Sequence, residues 1–486
     1  MLKLFKGFPS KSIMMLLLNL QLFIFVALLS VLWMDFSKEF YQTILIVVFF
    51  ECLLLSLTRG VFNIYQLFLL MMFLFNIIQP VFEFFGWYSY PLNDMIMIGS
   101  SIKEPIEDET LAETYRVLIT MLMGSSIGWL ISILKFTESS NGVARSMLIV
   151  VDRHRKIYKN LFFLLLLLAT LFNGVQLFFS LKVGYVQAMH LQTLSGDMPL
   201  ILRVSEIFYP LIGFIMLYLS TSRRNYVLYS SLFLVPYLIQ LFTGLRGEFV
   251  AIFLTIMFIY HYRYGFSSMK GIFLKGVYLF FFMSVMGIYR FSGEEGIYNA
   301  LSSIPIFDLI INLLAVNGSS IGVIAYTIQL KDEFFNNTPF LFGYIFAIFS
   351  FAPNYTYVGL QEKDYLAQHV TYLLYPEKLY GGSTIGTAMG AEFYEFSNGN
   401  FLIIFILSVL ILYIAGYFIN NLYRSKFMFY MGALYIQVLL LSPRGSVMKI
   451  FNKETLIVVI VFSIIVLISK LRIIKHSKLQ KTIIKQ

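Results

Sequence analysis

Residues 12–33 read SIMMLLLNLQLFIFVALLSVLW, a stretch without a single charged side chain. A helix of about 20 apolar residues crosses the roughly 30 Å hydrocarbon core of a bilayer. Lys3 and Lys6 precede the stretch, as in a secretory signal peptide, but the apolar run is too long and lacks a small-residue cleavage site. We therefore predict an uncleaved first transmembrane helix near residues 13–33.

Comparable apolar stretches recur along the chain. They fall near 40–57, 61–82, 113–134, 160–181, 202–220, 226–243, 248–263, 271–289, 401–420, 427–442 and 455–471. With 59% hydrophobic and 13% charged residues among 486, the chain has more apolar surface than a soluble domain of this length buries. The sequence thus predicts an all-α polytopic membrane protein with about 12 transmembrane helices in a single integral membrane domain, residues 1–486.

Basic residues concentrate in alternate loops of this arrangement. They are Lys3, Lys6, Lys11, Arg59, Lys135, Arg145, Arg153, Arg155, Lys156, Lys159, Arg223, Arg224, Arg263, Lys270, Lys275, Arg424, Lys426 and the tail from Lys470 to Lys485. The intervening loop 83–113 is acidic instead. Because positively charged loops stay in the cytoplasm, an even number of helices places both termini there. The net charge of +10 then fits loops that face anionic membrane lipid, and we predict no nucleic-acid partner.

A long segment, 290–400, separates the ninth and tenth predicted helices and falls on the extracytoplasmic side. Its apolar stretches 304–316 and 339–351 are too short or too interrupted for confident spans. They suit helices that lie at the interface or re-enter the membrane behind protein, and an additional pair of spans would leave the overall parity unchanged. We see no internal repeat, which argues against a transporter built from two related halves.

Four arginines fall near the predicted external ends of helices, where the charge rule disfavours them: Arg203, Arg246, Arg290 and Arg444. A guanidinium in or near hydrocarbon costs about 2.5–3.5 kcal/mol on insertion scales, so it snorkels to headgroups, pairs with a carboxylate or meets a ligand anion. For any one arginine, snorkelling to headgroups is as good an interpretation as anion binding. For the set, a shared anion site is favoured, because the planar guanidinium fork matches phosphate.

The first of two arginine–glycine motifs is Gly244-Leu245-Arg246-Gly247-Glu248-Phe249. Its glycines permit a tight turn, in which Arg246 and Glu248 would face one cavity. The alternative is an internal Arg–Glu pair that caps a helical hairpin. Arg444 lies in the second motif, Leu441-Ser442-Pro443-Arg444-Gly445-Ser446, again at the external end of a predicted helix.

The stretch from Tyr380 to Phe396 is rich in glycine, and Gly381 and Gly382 indicate backbone that lies close to a ligand. If residues 387–397 are helical, Glu392 and Glu395 share one face and can present carboxylates to a sugar hydroxyl or to the arginines. The alternative is helix packing, in which Gly386 and Gly390 form a small-xxx-small pair.

His369 lies in the polar part of the long segment and is a second candidate for a base or phosphate donor, although a lone loop histidine is more often only solvated. No His-x-x-x-His cluster, Walker, Rossmann or Gly-x-Ser-x-Gly pattern occurs. The sequence therefore predicts no metal, no cofactor, and neither nucleotide-driven nor hydrolase chemistry.

The many-helix plan, the motif around Arg246, the long late external segment and the glycine-rich stretch from Gly381 to Phe396 resemble the Wzy-type O-antigen or capsule polymerases. The resemblance implies a metal-independent membrane glycosyltransferase of the C type in the bacterial plasma (inner) membrane, with its active site facing the periplasm or exterior. It implies an undecaprenyl-pyrophosphate-linked oligosaccharide as both donor and acceptor, and a chain-length regulator protein as a partner.

On this resemblance, the external arginines would hold pyrophosphate and a base would activate the acceptor hydroxyl. Arg246, Arg290 and Arg444 are the main candidates for pyrophosphate binding, with Arg203 at similar depth. Glu248 or Glu392 would be the base, with His369 in reserve. Tyr394 and other aromatic residues would stack on sugars, although most tyrosines of such a chain serve packing.

Three alternatives remain open. An O-antigen ligase shares the topology, the donor and the external arginines, and an essential histidine in the long segment would favour it. A lipid-linked oligosaccharide flippase or other transporter fits the helix count, but should bury ionisable residues at mid-membrane, where only Glu51 and Glu206 are candidates. A purely structural membrane protein leaves the external arginines and the glycine-rich stretch unexplained.

Overall fold

The computed structural model describes residues 11–59, 62–87, 106–136, 155–183, 199–242, 246–265, 311, 314, 318, 320–334, 340, 365–374, 376, 385–452 and 455–464. Within these ranges, all regular secondary structure is helical. This confirms the predicted all-helical class.

The helices follow one another along the chain as α1 (Lys11–Leu32), α2 (Lys38–Ser56), α3 (Ile64–Met72), α4 (Ile78–Phe84), α5 (Asp108–Phe136), α6 (Arg155–Val183), α7 (Leu200–Tyr218), α8 (Arg223–Phe242), α9 (Arg246–Tyr264), α10 (Ser320–Gln329), α11 (Lys331–Phe334), α12 (Leu366–Leu374), α13 (Met389–Ser397), α14 (Phe401–Asn420), α15 (Lys426–Leu441) and α16 (455–464). A π-helical turn, Phe73–Ile77, joins α3 to α4, and 3₁₀ turns occupy Leu57–Arg59, Ser442–Arg444 and Val447–Phe451.

Helices occupy eleven of the twelve predicted transmembrane positions, and the remaining one, the ninth at 271–289, lies outside the described residues. Among the described residues, eight helices are long and apolar enough to cross a membrane: Lys11–Leu32, Lys38–Ser56, Ile64–Phe84, Asp108–Phe136, Arg155–Phe178, Arg223–Phe242, Phe401–Asn420 and Lys426–Arg444. The chain is thus a multi-pass membrane protein. The count of twelve spans and the cytoplasmic termini stay predictions.

Helix α5 is the centre of the bundle, and α14 packs along it more closely than ordinary side chains allow. A Cβ atom on Gly124 would lie 2.6 Å from the carbonyl oxygen of Phe405, and one on Gly128 would lie 2.2 Å from that of Val409. The two glycines are four residues apart and therefore line one face of α5. Their missing side chains let the two helix backbones come into direct contact.

One core helix was not anticipated from the sequence. Helix α10 lies inside the long segment 290–400, and every residue from Ser320 to Ile328 is buried. It packs against α5 and α13, where a Cβ atom on Gly390 would lie 2.7 Å from Cδ1 of Ile324. Part of the segment predicted as extracytoplasmic therefore belongs to the packed core of the bundle.

The loop-charge pattern predicts which end of the bundle faces away from the cytoplasm, and we call this the outer end. It is the end where α9 begins, α13 leads into α14, and α15 finishes. At the opposite end, Arg263 donates to the carbonyl oxygens of Ser220 (2.6 Å) and Leu217 (3.2 Å), and lies against the rings of Tyr264 and Tyr423. Arg263 thus satisfies the last carbonyl groups of α7.

Candidate functional site at the outer end of the bundle

The 442–451 segment, which runs from Ser442 to Phe451 directly after α15, is the hub of the outer end. Pro443 cannot continue a helix, and the chain turns there into two short 3₁₀ turns. The Ser442 hydroxyl donates to the Leu439 carbonyl oxygen at 2.8 Å and lies 3.5 Å from the sulfur of Met389, the first residue of α13. The segment therefore lies between α15 and α13.

Helix α13 carries Glu392 toward this segment. Gly386, with φ of +90°, adopts the left-handed backbone conformation that glycine permits, and the chain then enters the helix at Met389. Glu392 is only 3% exposed, and its Oε2 atom accepts a hydrogen bond from the Val447 N–H at 3.1 Å. The helical prediction for residues around 392 is thus confirmed, with Gly386 outside the helix.

Burial raises the pKa of Glu392 to about 8, although hydrogen bonds from Ser446 and from the Val447 N–H act in the opposite direction. A carboxyl group with this pKa is mostly protonated and neutral at pH 7. Glu392 therefore holds the 442–451 segment as a neutral hydrogen-bonding group rather than as a charge.

A second carboxylate meets the same segment from α9. Glu248 lies in the first turn of α9 and forms an ion pair with Lys449, with 2.5 Å between Oε1 and Nζ. The Glu248 and Lys449 side chains remain 36% and 43% exposed. A Cβ atom on Gly247 would lie 3.3 Å from the Leu441 side chain, so the missing side chain lets α9 pack against the end of α15.

Lys449 was not anticipated as a site residue. The charge rule that singled out the external arginines applies equally to this lysine, which follows the eleventh predicted helix on the external side. Its pairing with Glu248 joins positions 201 residues apart and is not readable from local pattern.

Arg444 is exposed at the surface of the same segment. Its guanidinium carbon lies 5.5 Å from the ring centroid of Phe75, within the range of a cation–π contact. The carbonyl oxygen of the preceding Pro443 accepts a hydrogen bond from the side-chain amide of Asn76 at 3.0 Å. The 442–451 segment thus presents two cationic side chains, Arg444 and Lys449.

Glu395 of α13 and His369, which lies in helix α12 rather than in a loop, both contact Phe340. Glu395 is buried, and its Oε1 atom accepts a hydrogen bond from the Phe340 N–H at 3.1 Å. The Phe340 ring lies 5.0 Å from the ring of His369, and burial lowers the pKa of that histidine. Glu392 and Glu395 therefore serve different neighbours, the 442–451 segment and Phe340.

Tyr394 is buried rather than presented at the surface. Its ring is 1% exposed, and its hydroxyl donates to Oε1 of Glu113 at 2.7 Å. Asn398 and Gly399 adopt positive φ and end the helix directly above this ring. In this structure, Tyr394 ties α13 to α5 and offers no open ring face for a sugar.

The remaining predicted site residues fall outside what the structure describes. Arg290, Gly381 and Gly382 lie in undescribed stretches. The backbones of Arg203 and Arg246 belong to α7 and α9, whereas their side chains are not described. Within the described ranges, no group of three or more His, Cys, Asp or Glu side chains is arranged to hold a metal ion.

Comparison with known proteins places the chain in one family. The family model described as O-antigen polysaccharide polymerase Wzy matches residues 13–476, which is nearly the whole chain. No curated protein and no solved structure shows a significant match.

Proposed function

The chain belongs to the O-antigen polysaccharide polymerase Wzy family, and on that premise we propose that it joins undecaprenyl-pyrophosphate-linked repeat units at the outer face of a bacterial plasma (inner) membrane. The product would be O-antigen or capsular polysaccharide. Donor and acceptor would both be lipid-linked oligosaccharides, so the reaction has to occur where the glycan meets the membrane surface. A chain-length regulator protein is the protein partner that we propose with it.

The observation that supports this site is the 442–451 segment. It presents Arg444 and Lys449 at the outer end, and it contacts carboxyl groups from two other helices, Glu248 of α9 and Glu392 of α13. Cations beside carboxylates at a membrane surface match the two requirements of transfer from a lipid pyrophosphate. These are stabilisation of the leaving group's negative charge and removal of a proton from the acceptor hydroxyl.

We assign the leaving pyrophosphate to Arg444, whose exposed guanidinium offers a planar fork of donors. Lys449 adds a second positive charge a few residues along the same segment. Arg203 and Arg290 keep their predicted role in the same anion site. Arg246 keeps it too, although Arg246 and Glu248 belong to helix α9 and not to the predicted tight turn. As the glycosidic bond to the pyrophosphate breaks, these cations would stabilise the charge that develops on its oxygens, and the lipid pyrophosphate would leave as an anion.

Of the two candidate bases, we assign the role to Glu248. It is partly exposed, and its ion pair with Lys449 is formed by the ionised, proton-accepting form of the carboxyl group. Glu392 is buried and already holds the Val447 N–H, so we assign it to positioning the 442–451 segment. The proton of the acceptor hydroxyl would pass to Glu248 while the acceptor oxygen bonds to the anomeric carbon of the donor glycan.

The other predicted residues take supporting roles in this proposal. His369 stays in reserve as a base, since its lowered pKa leaves it neutral at pH 7. Gly381 and Gly382 stay proposed as backbone that approaches the glycan. Tyr394 would act indirectly, by holding α13 on α5 through Glu113.

The test is deletion of the gene in its native host, followed by gel separation of surface glycans and analysis of what stays on the lipid carrier. If the chain is the polymerase, the deletion should leave single capped repeat units without a ladder. Full-length polymer stranded on the undecaprenyl carrier would establish a ligase instead, and untranslocated units on the cytoplasmic face would establish a flippase. Complementation with the intact chain should restore the ladder.

A further inference from the structure

The third spanning helix is not regular, and its irregularity lies beside Arg444. Between α3 and α4, residues Phe73–Ile77 form a π-helical turn, and Pro80 follows three residues later. Proline has no N–H to donate to the carbonyl group four residues earlier, which here is that of Asn76. Widened turns of this kind accommodate such a break and re-aim the side chains that they carry.

Asn76 uses the widened turn to reach another part of the chain. Its Nδ2 atom donates to the carbonyl oxygen of Pro443, 367 residues later in the sequence, at 3.0 Å. Asn76 is only 1% exposed. Within the described residues, its Oδ1 atom receives no hydrogen bond. The amide is therefore a poor packing group for an apolar helix, and among the described residues the bond to Pro443 is the hydrogen bond that it makes beyond its own helix.

Phe75 occupies the same turn and supports the next residue of the segment. Its ring centroid lies 5.5 Å from the guanidinium carbon of Arg444, while the ring itself is 7% exposed. A buried ring with a cation above it restricts where that cation can lie. Asn76 and Phe75 thus hold consecutive residues, the Pro443 carbonyl group and the Arg444 side chain.

We propose that the π-helical turn positions Arg444 for its anion, with Asn76 fixing the Pro443 carbonyl group and Phe75 seating the guanidinium. Asn76 and Phe75 are positioning residues that act through Arg444. The inference rests on the proposed function, since it takes the pyrophosphate of the lipid-linked donor as that anion. Displacement of a binding group by about 1 Å can cost on the order of 100-fold in rate, so a modest shift of the segment is sufficient.

The chain offers a matched control for Asn76. Asn173 is also an asparagine in a spanning helix and is also 1% exposed, but its Nδ2 atom donates to the Ala169 carbonyl oxygen of its own helix at 2.8 Å. Its Oδ1 atom likewise receives no hydrogen bond within the described residues. Replacement of either asparagine by leucine removes a buried amide, but only Asn76→Leu removes a hydrogen bond to the 442–451 segment.

The experiment measures the initial rate of polymerisation per amount of full-length protein, with lipid-linked repeat units as substrate. We expect Asn76→Leu to lower the rate about 10-fold or more and Asn173→Leu to leave it within about twofold. Phe75→Leu should lower the rate about threefold, and Phe75→Tyr, which keeps an aromatic ring under the guanidinium, should retain it.

A double-mutant cycle separates positioning from loss of structure. In an Arg444→Lys background, where the fork is already absent, Asn76→Leu should cost less than about threefold. The inference would be overturned if Asn76→Leu lowered the rate as much in the Arg444→Lys background as in the intact chain. Equal rates for Asn76→Leu and Asn173→Leu would overturn it as well. If Asn76→Leu does not accumulate, equal rates for Phe75→Leu and Phe75→Tyr would overturn it instead.

Failure of the proposed function is a separate result. If the deletion strain keeps its glycan ladder, the chain is not the polymerase. If deletion and Arg444→Ala both remove the ladder while Asn76 and Phe75 variants behave like Asn173→Leu, only the positioning role is wrong.

Discussion

Two arginines at opposite ends of the helix bundle show how the same side chain serves the fold in one place and the surface in the other. Arg263 is half-buried, donates to the carbonyl oxygens of Leu217, Tyr218 and Ser220, and lies against the rings of Tyr264 and Tyr423. Arg444 is exposed on a short turn, with the Phe75 ring beneath it. Arg263 thus closes a helix end, whereas Arg444 lies at the surface of the outer end.

Charge alone therefore does not identify a binding residue in this protein. Both arginines stack on aromatic rings, and both lie near helix ends. They differ in exposure, because Arg263 is half-buried against the last carbonyl groups of α7 and Arg444 is exposed. An arginine that satisfies the last carbonyls of a helix is a structural cap, and its removal should affect stability before activity.

Arg444→Ala should have the greatest effect on activity. We expect loss of polymer by about 10²- to 10³-fold, because the variant removes a donor group for the developing pyrophosphate charge, with protein abundance unchanged. The measurement is the glycan ladder together with an immunoblot of the membrane fraction.

Arg424→Ala is the matched control for Arg444. Arg424 is also exposed and lies just before α15, whereas Arg444 lies just after it. The control should keep a normal ladder. A normal ladder in Arg444→Ala at normal abundance would contradict the assignment of pyrophosphate to the outer end.

Glu248→Gln tests whether the outer end also carries the base. The variant keeps the shape of the side chain but cannot accept the proton, and we expect polymerisation to fall about 100-fold. Activity per protein should be measured beside Lys449→Gln, which breaks the same ion pair from the other side. If both variants lose activity equally and only through lower abundance, the pair is structural and Glu248 is not the base.

Arg263→Ala should lower stability and leave activity per folded protein unchanged. Loss of charged hydrogen bonds to several carbonyl groups costs on the order of 2–3 kcal/mol in the free energy of unfolding, so abundance and thermal stability should fall. The rate per folded protein should stay near that of the intact chain. A stable but inactive Arg263→Ala protein would contradict the assignment of Arg263 as a structural cap.

The smallest expected effect is that of Glu392→Gln, and it depends on pH. At pH 7, glutamine should replace the neutral carboxyl group and still accept the Val447 N–H, so polymerisation should be largely retained. Loss of activity by about 100-fold at normal abundance would instead make Glu392 the base.

The pKa of about 8 sets the direction of the pH effect on stability. Between roughly pH 4.5 and pH 8, folded protein keeps a proton on Glu392 that the unfolded chain releases, so stability falls as pH rises through this window and then levels off. The Glu392→Gln variant has no carboxyl group at this position, so its stability should not show this fall. Its melting temperature relative to the intact chain should rise by roughly 3–5 °C from pH 5 to pH 8, and a constant difference would contradict the raised pKa.

The sequence predicted most of the fold because the bilayer acts on single stretches of chain. The run at 12–33 needs no distant partner to be recognised, and neither do the other apolar stretches. Helix α10 was missed because Ser320–Gln329 is too short to span a membrane and is buried by protein rather than lipid. Its apolar character alone does not distinguish it from an interfacial segment.

The site was predicted less completely, and the reason is again physical. Charge outside the membrane pointed to Arg444, and glycine flanking pointed to Glu248. Lys449 was missed, because its ion-pair partner Glu248 lies 201 residues away in the sequence. Tyr394 was predicted to stack on sugars because aromatic residues bind them, whereas burial of its ring depends on the packing of α13 against α5.

What the sequence determined by itself is therefore the helical membrane architecture, the alternation of charged loops and a set of candidate cations and carboxylates. Only the tertiary structure decided which of them meet: Glu248 with Lys449 across 201 residues, and Asn76 with Pro443 across 367. Insertion into a bilayer depends on the local free energy of transfer of each helix. Pairing of side chains at the ends of helices depends on how the inserted helices pack, and that is set by close contacts such as those at Gly124 and Gly128.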